Sequence, residues 1–267
     1  METQAHNCEV CPVHNVANLI KLGVNMEGYN FIVALAGNPN TGKSTIFNNL
    51  TGLRQHTGNW PGKTVTRAEG GFEYNKNKYK LVDLPGTYSL LSTSTDEELA
   101  RNFILFGKPD VTVIVVDSTK LERNLNLVLQ ILEITDRAVL SLNLIDEAQR
   151  KNIDIDDRAL SKELGIPVIP TSARTKIGMD NLISYIDKVA TGEYKCRPYK
   201  LKGFSNKIKK SINELTAKVQ KIFPELPNAN WVAIRLLEGD QTIIDAVKNG
   251  EIGQLIENHP TNMNEAI

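Results

Sequence analysis

Residues 31–50, FIVALAGNPNTGKSTIFNNL, constrain the fold more than any other part of the chain. Residues 31–36 are a near-continuous apolar run, which predicts a buried parallel strand. The next eight, GNPNTGKS at 37–44, fit the pattern G-x-x-x-x-G-K-[ST] at every fixed position, and residues 45–50 read as the first turns of a helix. Strand, glycine-rich loop and helix in this order predict a phosphate-binding loop. The alternative is a glycine turn followed by a chance Lys-Ser.

The loop supplies several candidate ligands for a nucleotide. Backbone N–H groups of residues 41–44 would point at the β-phosphate, where the helix N-terminus also favours negative charge. Lys43 is expected to neutralise β- and γ-phosphate oxygens, and the Ser44 hydroxyl to bind Mg²⁺. The residues expected to bind nucleotide here are Gly37, Asn38, Asn40, Thr41, Gly42, Lys43, Ser44 and Thr45.

Composition narrows the function classes. With 267 residues the chain can bury an α/β core and still form a small second unit. Lys+Arg and Asp+Glu both number 31, so no overall basic field favours nucleic acid, and no nucleic-acid partner is expected. No signal peptide is visible and no apolar run reaches the roughly 18 residues needed to span a bilayer. The chain is expected to be soluble as an isolated domain, which is compatible with its being one part of a membrane protein.

Residues 1–29 are interpreted as an N-terminal extension. It carries Cys8, Cys11 and His14 in the spacing C-x₂-C-x₂-H, which could supply three ligands to Zn²⁺ or Fe²⁺. Structural zinc sites usually have a second ligand pair further along the chain, so a mobile tail with thiols is the alternative. Residues 16–22 are apolar enough for a short helix laid against the domain.

Residues 51–67 lack apolar periodicity and predict a long functional loop. A nucleotide switch at this place would provide a threonine to Mg²⁺ and the γ-phosphate, and Thr64 is preferred over Thr57 and Thr66. Trp60 has two interpretations, a packing anchor or a contact over the nucleotide.

A second motif follows the predicted hairpin at 69–74 and 78–82. Asp83 ends the second strand and Gly86 follows three residues later. An aspartate at this edge can hold Mg²⁺ through water, and a glycine lets its N–H approach the γ-phosphate. The pattern D-x-x-G is weak evidence for a nucleotide site by itself. At this distance after the predicted phosphate loop it is strong evidence. Residues 88–95 are expected to be a mobile loop, and 55–66 and 85–95 are expected to be switch loops that become ordered when the nucleotide binds.

A third motif ends the buried strand predicted at 138–142. Asn143 and Asp146 have the spacing N-x-x-D, which places a carboxylate where it can accept from guanine N1–H and the 2-amino group together. Adenine lacks this pair of donors, so the carboxylate selects GTP over ATP. Helix capping is the alternative for both residues. Further on, the N–H of Ala173 is expected to bond guanine O6, with Ser172 bracing the loop.

From residue 203 the pattern is helical only. Apolar residues recur at steps of three and four from 204 to 222, with lysines on the other face, and shorter helices are expected at 230–237 and 240–247. The lysine-rich stretch 207–210 is interpreted as a solvated face, with a membrane or partner contact as the alternative.

These elements in order, over about residues 31–192, resemble the small-GTPase domain of the translation-factor-like class. More narrowly, GNPNTGKST, GNWPGKTV at 58–65, DLPGTYSL at 83–90 and NLID resemble the cytosolic N-terminal region of the bacterial ferrous iron transport protein B family, FeoB. WVAIRLLEGD at 231–240 is similar to that family's helical subdomain, which resembles a guanine-nucleotide dissociation inhibitor.

The resemblance implies an α/β fold, a P-loop NTPase of small-GTPase type with a mostly parallel sheet, followed by a small all-helical subdomain. The implied divisions are a G domain at 30–192, the helical subdomain at 203–259 and a disordered tail at 260–267. It implies a GTPase that binds GTP, GDP and Mg²⁺ and regulates ferrous iron transport at the cytoplasmic face of the bacterial inner membrane. The implied partner is the polytopic iron-permeating domain of the full-length protein, with an oligomer possible.

Two departures from Ras-like proteins bear on the chemistry. Thr87 follows Gly86 where a water-orienting glutamine would stand, so intrinsic hydrolysis is expected to be slow. Leu144 replaces the lysine usual after the asparagine, which leaves the selectivity of Asp146 intact.

The resemblance also implies a monovalent cation. Asn40 is similar to the asparagine that binds K⁺ in potassium-activated GTPases, with backbone carbonyls around Asn59 and Trp60 completing the site. Such a cation would do electrostatically what an arginine finger does, so Thr64, Gly86 and Asn40 are the expected catalytic residues. A turn-stabilising amide is the alternative for Asn40. Two other function classes stay open, a soluble ribosome- or tRNA-associated GTPase and a nucleotide sensor that hydrolyses negligibly.

Overall fold

The computed structural model describes residues 14–52, 55–91, 94–200, 205–224, 226, 228–249 and 252. Within this part of the chain, seven strands form one sheet in the order β2-β3-β4-β1-β5-β6-β7. The pairs β1–β4, β1–β5, β5–β6 and β6–β7 are parallel, while β2–β3 and β3–β4 are antiparallel. The strands are β1 Phe31–Gly37, β2 Gln55–Asn59, β3 Thr66–Tyr74, β4 Asn77–Asp83, β5 Val111–Asp117, β6 Ala138–Asn143 and β7 Val168–Pro170.

Helices follow the strands along the chain. They are α1 Val16–Lys21, α2 Lys43–Thr51, α3 Thr95–Asn102, α4 Leu121–Ile134, α5 Ile145–Arg150, α6 Asp157–Leu164, α7 Met179–Ala190, α8 Asn206–Ile222, α9 Ala229–Leu237 and α10 Gln241–Lys248. A π-helical turn, Phe103–Gly107, continues α3, and a 3₁₀ turn, Ser118–Lys120, precedes α4. The mostly parallel sheet with a helical region after it confirms the predicted fold class.

Alternation along β1 divides the core between the two faces of the sheet. Ile32 and Ala34 belong to one buried cluster with side chains of α1, the π turn, α4 and α9. Val33 and Leu35 belong to the other, with side chains of α2 and α7. Because β1 is buried on both faces, its sequence is apolar throughout, as expected for a central parallel strand.

The prediction of an irregular loop over 51–67 is wrong in part, because Gln55–Asn59 forms strand β2. It pairs with β3 from Gln55↔Gly70 to Asn59↔Thr66. As an edge strand with exposed side chains at 56–59, β2 needs only backbone hydrogen bonds on one side, so its sequence carries no apolar alternation.

The helical region packs on the same face as α4. The Asn228 side chain donates to the carbonyls of Glu133 at 2.8 Å and Ile134 at 3.1 Å, which serve the C-terminal end of α4. Trp231 and Val232 of α9 are buried in the cluster that contains Leu127 of α4. In the described ranges, no helix is long and apolar enough to cross a membrane. The predicted tail at 260–267 lies outside the described residues.

Candidate functional site

The glycine-rich loop joins β1 to α2 at the carboxyl edge of the parallel strands. Gly42 is the N-cap of α2 with φ of 85°, a left-handed conformation that favours glycine, and a Cβ there would collide with the Asn143 side chain. Asn40 also has a positive φ, 64°, and its side chain is exposed, as are those of Ser44 and Thr45. The loop therefore presents polar groups to the outside of the sheet edge, while Thr41 and Asn38 are buried beneath it.

Lys43 lies beside the second motif. Its ammonium group is paired with the carboxylate of Asp83 and donates to the carbonyl of Leu84 at 2.7 Å. Burial raises the pKa of Asp83 above its ordinary value, and the nearby Lys43 opposes that rise without cancelling it. The structure thus brings the two predicted phosphate and metal residues into direct contact.

The chain after Asp83 continues along the phosphate loop. The Thr87 amide donates to the Gly37 carbonyl at 3.3 Å, and a Cβ at Gly86 would lie 3.4 Å from Pro39. Gly86 is therefore placed next to the glycine-rich loop, as the sequence predicts. The Thr87 side chain is buried, so it does not reach outward where a water-orienting glutamine would.

Asn143 connects the phosphate loop to the Ser-Ala-Arg loop. Its fully buried side chain donates to the Thr41 carbonyl at 2.8 Å and accepts from the Ala173 amide at 3.0 Å and the Thr171 hydroxyl at 3.4 Å. The Ala173 N–H that the sequence assigns to guanine O6 is therefore engaged by Asn143 in this structure. Asn49 of α2 reaches the same loop, donating to the Ala173 carbonyl.

Asp146 lies in the first turn of α5, partly exposed. Arg150 and Arg174 approach its carboxylate at 3.4 and 3.5 Å. The pKa of Asp146 is lowered, first by the Ser172 hydroxyl and then by these two guanidinium groups. Leu144, where a lysine is usual, has φ of 61° and is the N-cap of α5. The carboxylate is ionised and faces outward at the sheet edge.

Thr64 and Trp60, the candidates from the predicted loop at 51–67, lie in and beside a turn between β2 and β3. Thr64 is exposed in a tight turn closed by bonds from the Trp60 amide to the Val65 carbonyl and from the Lys63 amide to the Trp60 carbonyl, both 3.0 Å. Trp60 is buried, its ring 5.6 Å from that of Phe103. Trp60 is thus a packing anchor in this structure.

Two of the three residues predicted to bind potassium, Asn59 and Trp60, lie at the end of β2 and in the turn that follows it. Asn59 ends β2 with an exposed side chain, and the Trp60 carbonyl already accepts from Lys63. Asn40 alone stands with an exposed amide beside the phosphate loop.

Of the three predicted N-terminal metal ligands, only His14 is among the described residues. Its Nδ1 lies 2.7 Å from Asp110 Oδ2, and both side chains are buried. Cys8 and Cys11 lie outside the described residues. Among the residues with described positions, no group of three or more His, Cys, Asp or Glu could hold a metal ion.

Sequence reasoning missed Asn49, Arg150 and Arg174. Arg150 lies four residues after Asp146 on α5, a spacing that could have indicated this pair. Asn49 and Arg174 carry no such signal, because their partners are distant in the sequence. Only the arrangement of α2, α5 and the Ser-Ala-Arg loop at one edge brings them to the site.

The fold and this edge define the chain's class as a P-loop domain of the small-GTPase type. Residues 31–186, more than half of the chain, match the family described as ferrous iron transport protein B, and residues 204–267 match the FeoB cytosolic helical domain. The chain belongs to the ferrous iron transport protein B family.

Individual relatives agree with this. The chain is 41% identical over 229 residues to the Fe(2+) transporter FeoB of Escherichia coli K12, covering 84% of this chain and 29% of that protein. The chain therefore spans less than a third of the length of this curated relative.

Two solved structures are of the cytosolic domain of the T. maritima FeoB iron transporter. Its GDP form II has a TM-score of 0.74 at 35% identity, with 87% of this chain and 89% of that chain covered. Its GMPPNP form has a TM-score of 0.71 at 35% identity, covering 87% and 88%.

Proposed function

We propose that this chain binds and slowly hydrolyses GTP, and that it is the cytosolic regulatory part of a bacterial ferrous iron transporter. The observation that carries the proposal is the placement of Asn143, which links the phosphate loop to the Ser-Ala-Arg loop while Asp146 stands three residues further on. One end of this carboxyl edge of the sheet then suits phosphate groups, and the other end suits a base with adjacent N–H donors, as in guanine. The solved GDP and GMPPNP forms of the T. maritima relative support a guanine nucleotide.

Roles follow from chemistry at each position. Lys43 would exchange its contact with Asp83 for the β- and γ-phosphate oxygens, and backbone N–H groups at 41–44 would cradle the β-phosphate. Gly86, beside Pro39, would let its N–H reach the γ-phosphate. Asp146 would accept from guanine N1–H and the 2-amino group together, once its contacts with the two arginines are broken.

The donor set next to the loop fits Mg²⁺. The exposed Ser44 hydroxyl and the Asp83 carboxylate are hard oxygen ligands on neighbouring elements, which magnesium prefers. Bound there, the ion would neutralise phosphate charge. Thr64 would have to leave its present turn to join them.

The proposal also includes a potassium ion bound by Asn40 and by backbone carbonyls around Asn59 and Trp60. Asn40 offers an exposed amide oxygen, but the Trp60 carbonyl is engaged within its own turn. Because a carbonyl oxygen has a second lone pair, this hydrogen bond by itself does not prevent the Trp60 carbonyl from binding a cation. Equal hydrolysis rates in K⁺ and Na⁺ would remove Asn40, Asn59 and Trp60 from a cation site.

The proposed role in iron transport involves a part of the transporter outside this chain. The transporter's iron-permeating domain would be the partner, because the family is one of iron transport proteins and this chain covers 29% of its E. coli relative. We propose the divisions 30–192 for the G domain and 203–259 for the helical subdomain, at the cytoplasmic face of the inner membrane. The proposal includes no nucleic-acid partner.

Titration with fluorescent GDP, ADP and xanthosine diphosphate tests the base assignment. The wild type should prefer GDP, and Asp146→Asn should shift preference toward xanthosine diphosphate, whose 2-oxo group needs a donor. Glu147→Gln, one residue along α5, is the matched control because it also removes one acidic charge. An unaltered preference in Asp146→Asn would remove that residue from the base site.

A second candidate is a nucleotide sensor with negligible hydrolysis. The observation favouring it is the buried Thr87 side chain at the place of the water-orienting glutamine. Turnover of GTP with Mg²⁺, measured in K⁺ and in Na⁺ at equal ionic strength and repeated with Asn40→Ala, separates the two. Stimulation by K⁺ that Asn40→Ala abolishes supports the GTPase, whereas no turnover in either salt supports the sensor.

A further inference from the structure

The segment 14–28, which we call the arm, precedes the region that the family match covers. It is docked on the sheet face that carries the π turn. The Asn15 amide donates to the Gly107 carbonyl at 3.2 Å, and the buried Asn18 side chain donates to the Phe106 carbonyl at 2.9 Å. His14 adds its buried contact with Asp110 at 2.7 Å. The arm is thus held to the helix that follows the 85–95 loop.

The same arm holds the turn at 60–65 through Arg67. The guanidinium group donates to the Leu22 carbonyl at 2.9 Å and to the Gly23 carbonyl at 2.6 Å. The packing is close, since a Cβ on Gly23 would lie 2.5 Å from Arg67 Nη1 and 2.9 Å from Pro61. The arm therefore contacts parts of the chain next to both loops that the sequence predicts to respond to nucleotide.

Trp60 joins these two contacts. Its ring packs edge-on against Phe103 of the π turn and lies 5.2 Å below the Arg67 guanidinium carbon. Leu19 and Leu22 of the arm share its buried cluster. A displacement of the arm would therefore release Arg67, whose guanidinium group covers the Trp60 ring, and so alter the environment of Trp60.

This arrangement places Thr64 in a turn that continues into β3. Because β4 lies between β3 and β1, the start of β3 is two strand spacings, about 10 Å, from the strand that carries the phosphate loop. The Trp60 indole N–H is buried with no hydrogen-bond partner among the described residues, which is unfavourable. A position of the turn that gives this N–H a partner would remove that penalty.

We propose that the arm is an intramolecular restraint that holds the 60–65 turn in this arrangement and so opposes binding of a triphosphate. A contact present in one arrangement and lost in the other shifts the equilibrium between them by its free energy. Releasing the arm should favour the arrangement that carries Thr64 toward Ser44. The triphosphate effect rests on the proposed GTP function, whereas the coupling of the arm to Trp60 does not.

The test uses the full chain with Trp231→Phe, so that Trp60 is the only tryptophan. Asn18→Ala and His14→Ala each remove one anchor of the arm from the π turn. Ile20→Ala is the matched control, because Ile20 is 63% exposed on the same helix. Trp60 emission, amide hydrogen exchange at 15–22, thermal unfolding, and GMPPNP and GDP affinities are measured for each.

We expect both arm variants to shift Trp60 emission to the red and to bind GMPPNP about fivefold more tightly with little change for GDP, while Ile20→Ala matches its background. Unchanged emission and GMPPNP affinity, despite faster exchange at 15–22, would overturn the proposal. If one variant fails to fold, the other decides. If the parent binds no guanine nucleotide, the proposed function fails instead, and Trp60 emission alone then supports or overturns the arm's role.

Discussion

The Gln130 side-chain oxygen on α4 accepts a hydrogen bond from the Leu90 backbone amide at 2.7 Å and another from the Ser89 hydroxyl at 3.2 Å. This oxygen fixes the chain four residues beyond Gly86. The chain after Gly86 is therefore held by a helix that the helical region also contacts, through Asn228 at the C-terminal end of that helix.

Gln130→Leu should loosen the loop after Gly86, because it removes the Gln130 oxygen as an acceptor for the Leu90 amide and the Ser89 hydroxyl. We expect faster amide exchange at 86–91 and a loss of about 1 kcal/mol of stability. Gln130→Glu keeps an acceptor at the same place and should stay close to wild type. Equal protection of 86–91 in Gln130→Leu and Gln130→Glu would show that the loop is held by something else.

Asn143→Ala should weaken nucleotide binding and stability together. The change leaves the buried Thr41 carbonyl and Ala173 amide without this partner, at a cost of about 3 kcal/mol. Chemical denaturation and GDP dissociation rates measure the two effects. The control is Ser141→Ala, two residues before Asn143 on β6. It removes the contact between the Ser141 and Thr171 hydroxyls and should leave GDP dissociation nearly unchanged.

Asp83→Asn should change how stability depends on pH. Because burial raises the pKa of Asp83 in the folded state above its ordinary value of 3.8, the folded protein binds a proton more tightly at this carboxyl than the unfolded chain does. Its contribution to stability is fully present below the unfolded value and is lost as the pH rises through the folded pKa. The difference in unfolding free energy between Asp83→Asn and wild type should therefore rise with pH above about 4. A difference that falls over this interval would contradict the direction given for Asp83.

Arg101→Met should weaken the attachment of the helical region to α3. The buried guanidinium group donates to the Thr242 hydroxyl at 3.1 Å and is attracted to Asp240 at the start of α10, while burial lowers its pKa. We expect a loss of about 2 kcal/mol, typical for a hydrogen bond to a charged group together with its lost packing. A double-mutant cycle with Thr242→Val isolates the pair. Strict additivity would mean that the two residues do not interact energetically.

The parts of the site written locally in the sequence could be predicted. The phosphate loop needs glycine at 42 for a left-handed N-cap, and the pattern G-x-x-x-x-G-K-S encodes that requirement directly. The placement of Gly86 beside Pro39 followed from a short spacing after a strand. Such features depend on a few neighbouring residues, which the sequence shows side by side.

Features that depend on distant partners could not be predicted. Strand β2 forms because β3 offers a free edge, and its own residues carry no alternation. Trp60 had two open interpretations, and only the position of Phe103 decides between them. The burial of Arg101, a residue normally exposed, depends on α10, which lies about 140 residues later in the chain.

The buried side chain of Asn143 has a consequence for how such a chain can evolve. One carboxamide bonds both the glycine-rich loop and the Ser-Ala-Arg loop, so a substitution at this position alters both loops at once. If the proposed base site is right, a change of base preference at position 143 would also disturb the Thr41 carbonyl, whereas a change at Asp146 would leave these two bonds of Asn143 intact.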